Sequence, residues 1–432
     1  MREIIFNEEQ EAAITDMLDF LNGSGNFYLL QGYAGTGKTT CISEVIRRYG
    51  KATALTAPTN KATRVLIETS RRAGIVVDCM TIYSLMGLKL RGVGEKQQIF
   101  PEGDSKMIQY NLIVIDEASM VNEDLFNLIC EQAMSLNRKI IFMGDPAQLP
   151  PINEKESKVF ELIERKSVLM KVMRHDNQIL TLATRIRKAW DGTGEPDGLF
   201  CTDNDENGGV WCMDSKKFLG KVKTAFTSET YKDDPSKVRI IAWTNEAVRE
   251  YNSYVRELLY GEEAHKPFHI DERVIACRPV IDAAVKKEAK MTEIVMTTDE
   301  EGVVISIKQE PHPIYTSFYC YALEVECDDG SVATCYVILP EEEERLNKTL
   351  DNMAKDAKSG RGSWKSFWEM KELFSDIRPC HALTAHRSQG STYDTALVDV
   401  GNIMLNRRHK EMLQCLYVAV SRASRIVCAR TR

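Results

Sequence analysis

The sequence predicts an α/β protein built on parallel sheets and interrupted by one region of short β segments. Over most of the chain, short apolar runs alternate with segments of helical periodicity, which is typical of strands joined by crossover helices. One apolar run passes through a glycine-rich loop directly into a helical segment. Between about residues 266 and 380 the alternation gives way to short β segments, with a hairpin turn signal at residues 328–330.

Composition places the chain among globular proteins of roughly three domains. It has 432 residues, of which 43% are hydrophobic and 28% are charged. No apolar run approaches the ~18–20 residues that span a bilayer, so we expect a cytosolic protein with no membrane partner. Twelve cysteines without a C-x-x-C pair indicate reduced thiols rather than a zinc site. The net charge of −7 argues against a broadly basic protein but not against a local electropositive groove for nucleic acid.

Residues 7–21 have the spacing of an amphipathic helix, with Asn7 as its expected N-cap. Gln10 lies on this helix, shortly before the first strand. Two interpretations stay open for Gln10: an exposed helical side chain, or an amide that recognises the edge of adenine.

The loop at residues 32–40 is the strongest local motif. It follows an apolar strand and fills every fixed position of G-x-x-x-x-G-K-[ST]. Its glycines let backbone N–H groups turn toward phosphate oxygens, and the following helix adds its positive N-terminal end. We expect Lys38 to reach the β- and γ-phosphates and the Thr39 hydroxyl to take a Mg²⁺ position. The residues expected to bind nucleotide in this loop are Gly35, Thr36, Gly37, Lys38, Thr39 and Thr40.

Polar residues also follow the next strand of the predicted sheet, on the side where parallel sheets bind ligands. Asn60 is the expected cap of a helix over residues 61–72. A second hydroxyl-rich segment with an aromatic ring lies at residues 81–84. The candidates for contact with a ligand in these two segments are Pro58, Thr59, Thr81 and Tyr83.

Residues 86–110 break the α/β alternation and predict a basic β-hairpin around a glycine-containing turn. Two interpretations stay open. The hairpin is either a decorated surface loop or a small projection against nucleic acid, with Phe100 as an apolar wedge.

The apolar run at residues 112–115 ends in two adjacent acids, which is the second half of a P-loop nucleotide site. We expect Asp116 to hold Mg²⁺ and Glu117 to orient and deprotonate the attacking water. The alternative for such acids is a simple loop cap. A later proline-flanked loop at residues 144–151 delivers Gln148, which could sense the γ-phosphate.

In chain order, these segments resemble the successive motifs of superfamily-1 helicases, most closely those of the 5′→3′ branch that contains RecD and the phage Dda helicase. The matching segments are Gln10 and residues 32–39, 56–59, 81–84, 116–119 and 144–148. One departure is Tyr83, where that branch usually carries a histidine, although the aromatic face is retained for stacking.

The resemblance implies an ATP-dependent DNA helicase with two RecA-like motor domains, which bind ATP and Mg²⁺ in the cleft between them. It implies translocation 5′→3′ on single-stranded DNA and unwinding of the duplex ahead. In the second half it makes Arg174 a contact of the γ-phosphate and Arg422 an arginine finger. The other matching positions of the second half face the nucleotide (Gln389 and Gly390) or DNA (Thr384 and His386). In the first half, the resemblance places Pro58, Thr59, Thr81 and Tyr83 against DNA. For Thr244 and Asn245, at a strand end, a DNA phosphate contact and a helix cap both stay open.

The β-rich region fits the SH3-like barrel that this family inserts into its second motor domain. The predicted division is 1–85 with 111–170 for the first motor domain, 86–110 for the hairpin, 171–265 with 381–432 for the second motor domain, and 266–380 for the barrel with a helical, aromatic extension. That extension includes two Trp and a Phe at residues 364–368. Trp364 is part of a packed hydrophobic anchor, a surface that stacks on bases, or a clamp against the hairpin at residues 86–110.

The expected partners are single-stranded DNA and forked or tailed duplex DNA, with single-strand-binding or replication proteins as further candidates. We expect a monomer to be functional, in a bacterial or phage-infected cell. Two alternatives stay open: a nucleotide-controlled switch that binds nucleic acid without moving, and an RNA-directed helicase of the same architecture.

Overall fold

The computed structural model describes residues 5–33, 35–91, 98–101, 103–151, 154–171, 178–195, 198–205, 208–283, 286 and 294–431. The chain forms two compact units. Unit 1 comprises Met1–Ser215 and Ser388–Arg432, and unit 2 comprises Lys216–Arg387. The four-part division expected from the sequence remains a prediction. Among the described residues, no helix combines the length and the apolar character needed to cross a bilayer.

The strands are β1 (Phe27–Gly32), β2 (Thr53–Ala57), β3 (Asp78–Thr81), β4 (Leu88–Arg91), β5 (Gln98–Pro101), β6 (Leu112–Ile115), β7 (Lys139–Gly144), β8 (Lys166–Leu169), β9 (Asp203–Asp205), β10 (Gly208–Met213), β11 (Val238–Ala242), β12 (Arg273–Ala276), β13 (Val280–Ile281), β14 (Ile294–Met296), β15 (Glu301–Pro311), β16 (Tyr319–Cys327), β17 (Val332–Ile338), β18 (Ile377–Pro379), β19 (Ala382–Thr384), β20 (Tyr393–Val398) and β21 (Ala423–Arg430).

The helices are α1 (Glu8–Asn22), α2 (Lys38–Tyr49), α3 (Asn60–Ala73), α4 (Ile82–Met86), α5 (Glu123–Ser135), α6 (Lys158–Leu162), α7 (Gln178–Asp191), α8 (Ser215–Phe226), α9 (Glu229–Asp233), α10 (Asn245–Tyr260), α11 (Pro340–Lys358), α12 (Trp364–Leu373), α13 (Val400–Ile403) and α14 (His409–Ser421).

A six-stranded sheet in the order β3-β2-β6-β7-β1-β8 forms the centre of unit 1. All its strand pairs are parallel, which confirms the sequence prediction of a parallel α/β sheet. Apolar cores cover both faces of the sheet, so its four central strands are buried on each side. The carboxyl ends of β1, β2, β6 and β7 therefore meet at one edge, where such sheets bind ligands.

Unit 1 also contains four strands in the order β20-β21-β10-β9. The β20–β21 and β21–β10 pairs are parallel, and β9 closes the edge as an antiparallel strand. Helices α7 and α14 pack against each other beside these strands. As a result, residues from about 178 and from about 410 onward lie in the same compact unit as the glycine-rich loop.

The predicted hairpin is confirmed, since β4 and β5 pair antiparallel with Lys89 opposite Phe100. Ile99 packs against an apolar core of unit 1. The turn at residues 92–97 lies outside the described residues, and so does the placement of the Phe100 side chain. The wedge role of Phe100 therefore stays a prediction.

Unit 2 contains the predicted β-rich region. Its largest sheet has five strands in the order β17-β16-β15-β12-β18, and the pairings are antiparallel. The long strands β15 and β16 pack on one apolar core, which includes Val304, Leu323 and Val325. In the same unit, β11 pairs in parallel with β19.

The structure of α12 decides between the anchor and surface interpretations of the aromatic segment at residues 364–368. Trp364 begins the helix and remains 43% exposed, while Met370, Leu373 and Phe374 are buried in an apolar core of unit 2. The packed anchor thus lies one to three turns beyond Trp364, and the anchor interpretation is wrong for Trp364 itself. Base stacking by Trp364 stays a prediction.

Helix α3 begins one residue earlier than expected. Its N-cap is Thr59, not Asn60, because Thr59 has an extended backbone and its hydroxyl accepts the N–H of Ala62. The expected cap of α1 is confirmed: the Asn7 side chain accepts the N–H of Gln10 in a capping box.

Candidate active site

The glycine-rich loop joins β1 to α2, and its geometry depends on two glycines with left-handed backbones. Gly35 and Gly37 have φ of 80° and 83°, which side chains with a Cβ rarely adopt. The Lys38 ammonium donates hydrogen bonds to the carbonyls of Gly32 (2.8 Å) and Tyr33 (3.0 Å). Its charge is therefore held against the loop that is expected to surround the phosphates. Thr39 and Thr40, in the first turn of α2, are half-buried.

Gln10 packs against this loop. Its side chain is only 3% exposed, so the interpretation as an exposed helical residue is wrong. Its Nε2 donates to the carbonyl of Thr36 (3.0 Å), and its Oε1 accepts the N–H of Asn7. A Cβ at Gly37 would lie 2.5 Å from Gln10 Nε2, so this contact also requires a glycine. Recognition of adenine by Gln10 stays a prediction.

Asp116 and Glu117 follow β6 at the ligand edge of the sheet. The Asp116 carboxylate accepts the N–H of Glu117 (2.8 Å). Burial raises the pKa of Asp116, while this hydrogen bond and the charge of Lys38 oppose the rise. Hard oxygen ligands such as the Asp116 carboxylate and the Thr39 hydroxyl fit Mg²⁺, so this donor set is compatible with the expected metal.

Glu117 has two unusual properties. Its backbone lies in the left-handed region (φ 51°, ψ 47°), which costs a non-glycine residue about 1–3 kcal/mol. Burial, followed by repulsion from Asp116, raises the pKa of Glu117 to about 7, while the charges of Arg422 and Lys38 lower it. A carboxylate with a pKa near neutrality is well matched to accept a proton from water.

Arg422 follows the end of α14 and is 7% exposed. It donates to the carbonyl of Ser391 (3.4 Å), and its charge acts on Glu117. Its buried Nε has no hydrogen-bond partner among the described residues. A buried cation with spare donors is suited to an anion such as a phosphoryl group. Arg174, the other expected arginine, lies outside the described residues.

Gln148 and Gln389 lie in direct contact, although 241 positions separate them in the chain. Gln389 Nε2 donates to Gln148 Oε1 (3.0 Å) and to Ser119 Oγ (3.2 Å). Both glutamines are buried, at 7% and 8% exposure. Gly390 follows with φ of 78°, close to the start of α3. The structure therefore brings Gln389 to the candidate site, and its nucleotide contact stays a prediction.

Sequence reasoning missed several residues at this site. Asp145 is fully buried beside Gln148 and binds Arg187 and Tyr417. From the sequence, Gln148 is the only candidate in the loop at residues 144–151. One signal was available for Arg187, because it lies four positions after Ala183 and eight after Ile179, on the stripe of α7 that is buried, and a charge there requires a partner.

The residues expected to face DNA occupy strand ends and helix starts. In unit 1, Thr59 and Thr81 cap helices α3 and α4, and Pro58 is half-buried beside them. Tyr83 is half-buried against an apolar core, and burial raises its pKa to about 12. Any nucleic-acid contact by these side chains stays a prediction.

In unit 2, Thr244 caps α10 by accepting the N–H of Ala247, so the cap interpretation is confirmed, and Asn245 is exposed. Thr384 is 8% exposed and accepts the N–H of Arg387, whereas His386 is exposed. His386 is thus more accessible to a ligand than Thr384. The contacts of all four with DNA stay predictions.

Three family models match the chain in succession. A model of the AAA domain matches residues 5–194, and a model of the Dda helicase SH3 domain matches residues 265–379. A model of the UvrD-like helicase C-terminal domain matches residues 379–428. The matches together extend over most of the chain, in the order expected from the sequence motifs.

Two curated relatives align over nearly the whole chain. The ATP-dependent DNA helicase dda of Enterobacteria phage T4 is 24% identical, and the alignment covers 90% of this chain and 91% of that protein. An uncharacterized protein of Acanthamoeba polyphaga mimivirus is also 24% identical, over 97% of this chain and 98% of its own length.

Solved structures of Pif1 helicases share the fold. Pif1 from Candida albicans has a TM-score of 0.53 at 18% identity, covering 100% of this chain and 95% of its own. A Bacteroides Pif1 in complex with ADP-AlF3 and ssDNA has a TM-score of 0.52 at 17% identity, covering 99% and 92%. Identities this low support the fold alone.

Proposed function

This chain belongs to the superfamily-1 helicases of the Dda and RecD type and is an ATP-dependent DNA helicase; we propose that it moves 5′→3′ along single-stranded DNA and unwinds the duplex ahead. Its architecture consists of two RecA-like α/β motor domains with an SH3-like insertion. The direction follows from the family, and the roles of individual residues belong to the proposal.

One observation carries the assignment of residues to ATP hydrolysis. Unit 1 contains Lys38, Asp116, Glu117 and Arg422, and the charges of the other three all act on Glu117. Two cations and two carboxylates are thus concentrated at the carboxyl edge of a parallel sheet. Such a cluster is costly to assemble unless it serves a charged ligand.

We assign the steps of hydrolysis as follows. The loop amides and Lys38 bind the β- and γ-phosphates, and Thr39 and Asp116 would hold Mg²⁺, which neutralises phosphate charge when bound. Glu117 orients the attacking water and accepts its proton. Arg422 stabilises the charge that develops on the transferring phosphoryl group, a role that contributes about 10³–10⁵ in rate in related enzymes. Arg174 is proposed as a second γ-phosphate contact.

The Gln148–Gln389 pair is proposed to report the state of the γ-phosphate. Gln148 is bonded to Gln389, and the segment containing Gln389 follows Thr384 and His386 in the chain. A change in the position of Gln148 on hydrolysis would therefore reach a segment that is expected to contact DNA. In this way ATP turnover is coupled to movement.

The test measures ATP hydrolysis with and without single-stranded DNA or RNA, followed by unwinding of duplexes with a 5′ or a 3′ tail. We expect strong stimulation by single-stranded DNA and unwinding only from a 5′ tail. Slow, unstimulated turnover would instead support the nucleotide-controlled switch. Stimulation by RNA and not by DNA would support the RNA-directed enzyme.

The control variant is Lys38→Ala. It removes the ammonium that the loop carbonyls hold, so hydrolysis should be abolished while the melting temperature stays close to that of the parent protein. Retained turnover would contradict the phosphate-binding role of Lys38.

We also propose that a single chain is functional, since its described catalytic candidates all lie in one compact unit. Sedimentation at assay concentrations tests this proposal. We expect the mass of a single chain, and the mass of a dimer would contradict the proposal. Single-strand-binding and replication proteins remain proposed partners.

A further inference from the structure

Asp145 forms the centre of a buried polar cluster that has no role in the steps above. Its Oδ1 accepts hydrogen bonds from Arg187 Nη1 (2.5 Å) and from the N–H of Ala147 (3.0 Å). Its Oδ2 accepts the hydroxyl of Tyr417 (2.6 Å). Asp145 is fully buried and Arg187 is 5% exposed, so the ion pair is shielded from solvent.

Arg187 also contacts the phosphate-binding loop. Its guanidinium carbon lies 3.4 Å from the centroid of the Tyr33 ring. The backbone carbonyl of Tyr33 accepts hydrogen bonds from Lys38 Nζ (3.0 Å) and Thr36 Oγ1 (2.9 Å). Tyr33 therefore contacts Arg187 with its ring and helps to orient Lys38 with its backbone carbonyl.

Tyr417 connects the same cluster to the arginine finger. It lies on α14, whose end is followed directly by Arg422. On the preceding turn of this helix, Gln414 donates to the carbonyls of Pro146 (3.3 Å) and Gln148 (2.9 Å). Two successive turns of α14 are thus bonded to the loop that contains Asp145 and Gln148.

We propose that Arg187 is a positioning residue for ATP hydrolysis. The edge of its guanidinium group binds Asp145, and the flat face of this group contacts the ring of Tyr33. Through these two contacts Arg187 fixes the Lys38 loop relative to the helix that ends before Arg422. The inference rests on the proposed function, because the alignment has a purpose only if Lys38 and Arg422 act on the same phosphate. All the residues involved lie in unit 1.

The chemistry of the side chain distinguishes this role from simple core packing. A buried ion pair gives little net stability compared with apolar residues of similar volume, so stability alone does not explain its presence. A guanidinium offers donors along its edge and a flat face for an aromatic ring at the same time. Lysine offers neither the planar edge nor the stacking face.

The test compares Arg187→Lys, Tyr33→Leu and Tyr33→Phe in the full-length protein. We expect Arg187→Lys and Tyr33→Leu each to lower kcat for DNA-stimulated ATP hydrolysis by about 10- to 100-fold, as small misplacements of catalytic groups do. The KM for ATP should change little, because the alignment matters most in the transition state. Tyr33→Phe keeps the ring and should retain the parent kcat. The double variant Arg187→Lys/Tyr33→Leu should be no slower than the slower single variant.

A matched control exists in the same unit. Arg165 pairs with Asp16 (3.0 Å) and lies over the rings of Phe20 and Tyr28, and among the described residues none of these partners belongs to the glycine-rich loop. Arg165→Lys should therefore leave kcat unchanged. An equal loss in Arg165→Lys and Arg187→Lys would overturn the proposal.

A variant that removes a single hydroxyl group from the cluster provides a second measurement. Tyr417→Phe deletes one hydroxyl and keeps the Arg187–Asp145 pair, so it should fold while kcat falls several-fold at an unchanged KM. Parent-like kcat in Arg187→Lys and Tyr33→Leu would overturn the proposal, as would additive effects in the double variant. Failure of the proposed function is distinguishable, since the parent protein itself would then lack DNA-stimulated ATPase activity.

Discussion

Glu117 shows how the site tunes a single side chain. A glutamate in solution has a pKa near 4.3 and is a weak base at neutral pH. Burial and the neighbouring Asp116 raise the pKa of Glu117 to about 7, and its left-handed backbone is held by the surrounding strand and turn. The strain and the raised pKa occur at the same residue, as expected where a fold keeps an unfavourable arrangement for chemistry.

The first prediction concerns the pH dependence of hydrolysis. Glu117 accepts a proton only in its carboxylate form, and kcat/KM reports the pKa of the free enzyme, so kcat/KM for ATP should rise with pH and reach half its maximum near pH 7. Glu117→Gln should lower kcat by about 10²–10⁴ without preventing nucleotide binding. Initial rates between pH 5.5 and 8.5, together with ADP binding to the variant, check both parts. A flat profile would exclude Glu117 as the base.

At the scale of elements, the hairpin β4–β5 and the helix α12 have a similar organisation. Each has one side packed on a core and one aromatic residue with a proposed role at DNA. Ile99 and Met370 belong to the packed sides, and Phe100 and Trp364 are the candidates for contact with DNA. This pairing provides a control within each element.

The second prediction is that Phe100→Ala impairs unwinding more than DNA-stimulated ATP hydrolysis. A wedge acts on the duplex junction, whereas the ATP site needs only single-stranded DNA. Ile99→Ala should instead lower the melting temperature, because Ile99 packs on the core. The two assays are run on the same preparations. Equal loss of both activities in Phe100→Ala would place Phe100 in the core.

The third prediction is that Trp364→Ala reduces unwinding without unfolding the protein, since its side chain is 43% exposed. The control in the same helix is Met370→Ala, which should destabilise unit 2 by about 2–5 kcal/mol because Met370 is 4% exposed. Thermal melting and unwinding are measured for both. A similar drop in melting temperature for the two variants would contradict the role in DNA contact.

At the scale of the whole molecule, the two units have different polar interiors. Unit 1 buries Asp145, Arg187 and Arg422 in and around the candidate ATP site, whereas unit 2 buries an ion network and neutral histidines within its fold. Arg239 and Arg273 share the carboxylate of Glu301, and all three are buried. His312 is fully buried, accepts the N–H groups of two following residues on Nδ1 and donates from Nε2 to Leu373.

The fourth prediction is a loss of stability in mild acid. Burial lowers the pKa of His312 from 6.5 to about 4, so between these values the unfolded chain binds the proton and the folded chain does not. The free energy of unfolding should be fully retained above pH 6.5 and should fall by about 3 kcal/mol from this residue as pH drops toward 4.

Urea unfolding at pH 7.5 and pH 5 measures this effect. His312→Asn retains an acceptor for the two N–H groups but does not titrate, so its stability should depend less on pH. The buried His381, whose pKa burial also lowers, accounts for part of the remaining slope. An unchanged slope in His312→Asn would contradict the assignment.

The local motifs could be predicted because each is encoded by consecutive residues. The loop that contains Lys38, the acids after β6 and the hairpin at residues 88–101 all depend on short-range geometry: a strand end, a tight turn and a helix start. The order of these motifs was sufficient to identify the family and the two-motor architecture. The misassigned cap at Asn60 shows the limit, because Thr59 and Asn60 are both good caps and only the backbone angles distinguish them.

Contacts between distant segments were decided by the tertiary structure. Gln148 meets Gln389 from a loop 241 positions away. Arg187 meets both Asp145 and Tyr33 only because α7 brings it to the loop after β7 and to the glycine-rich loop. No periodicity or spacing encodes such a meeting, since it depends on how side chains from separate helices fill one buried volume. The sequence by itself thus determined the chemistry of the phosphate loop and its acids. The tertiary structure decided which side chains align Lys38 with Arg422.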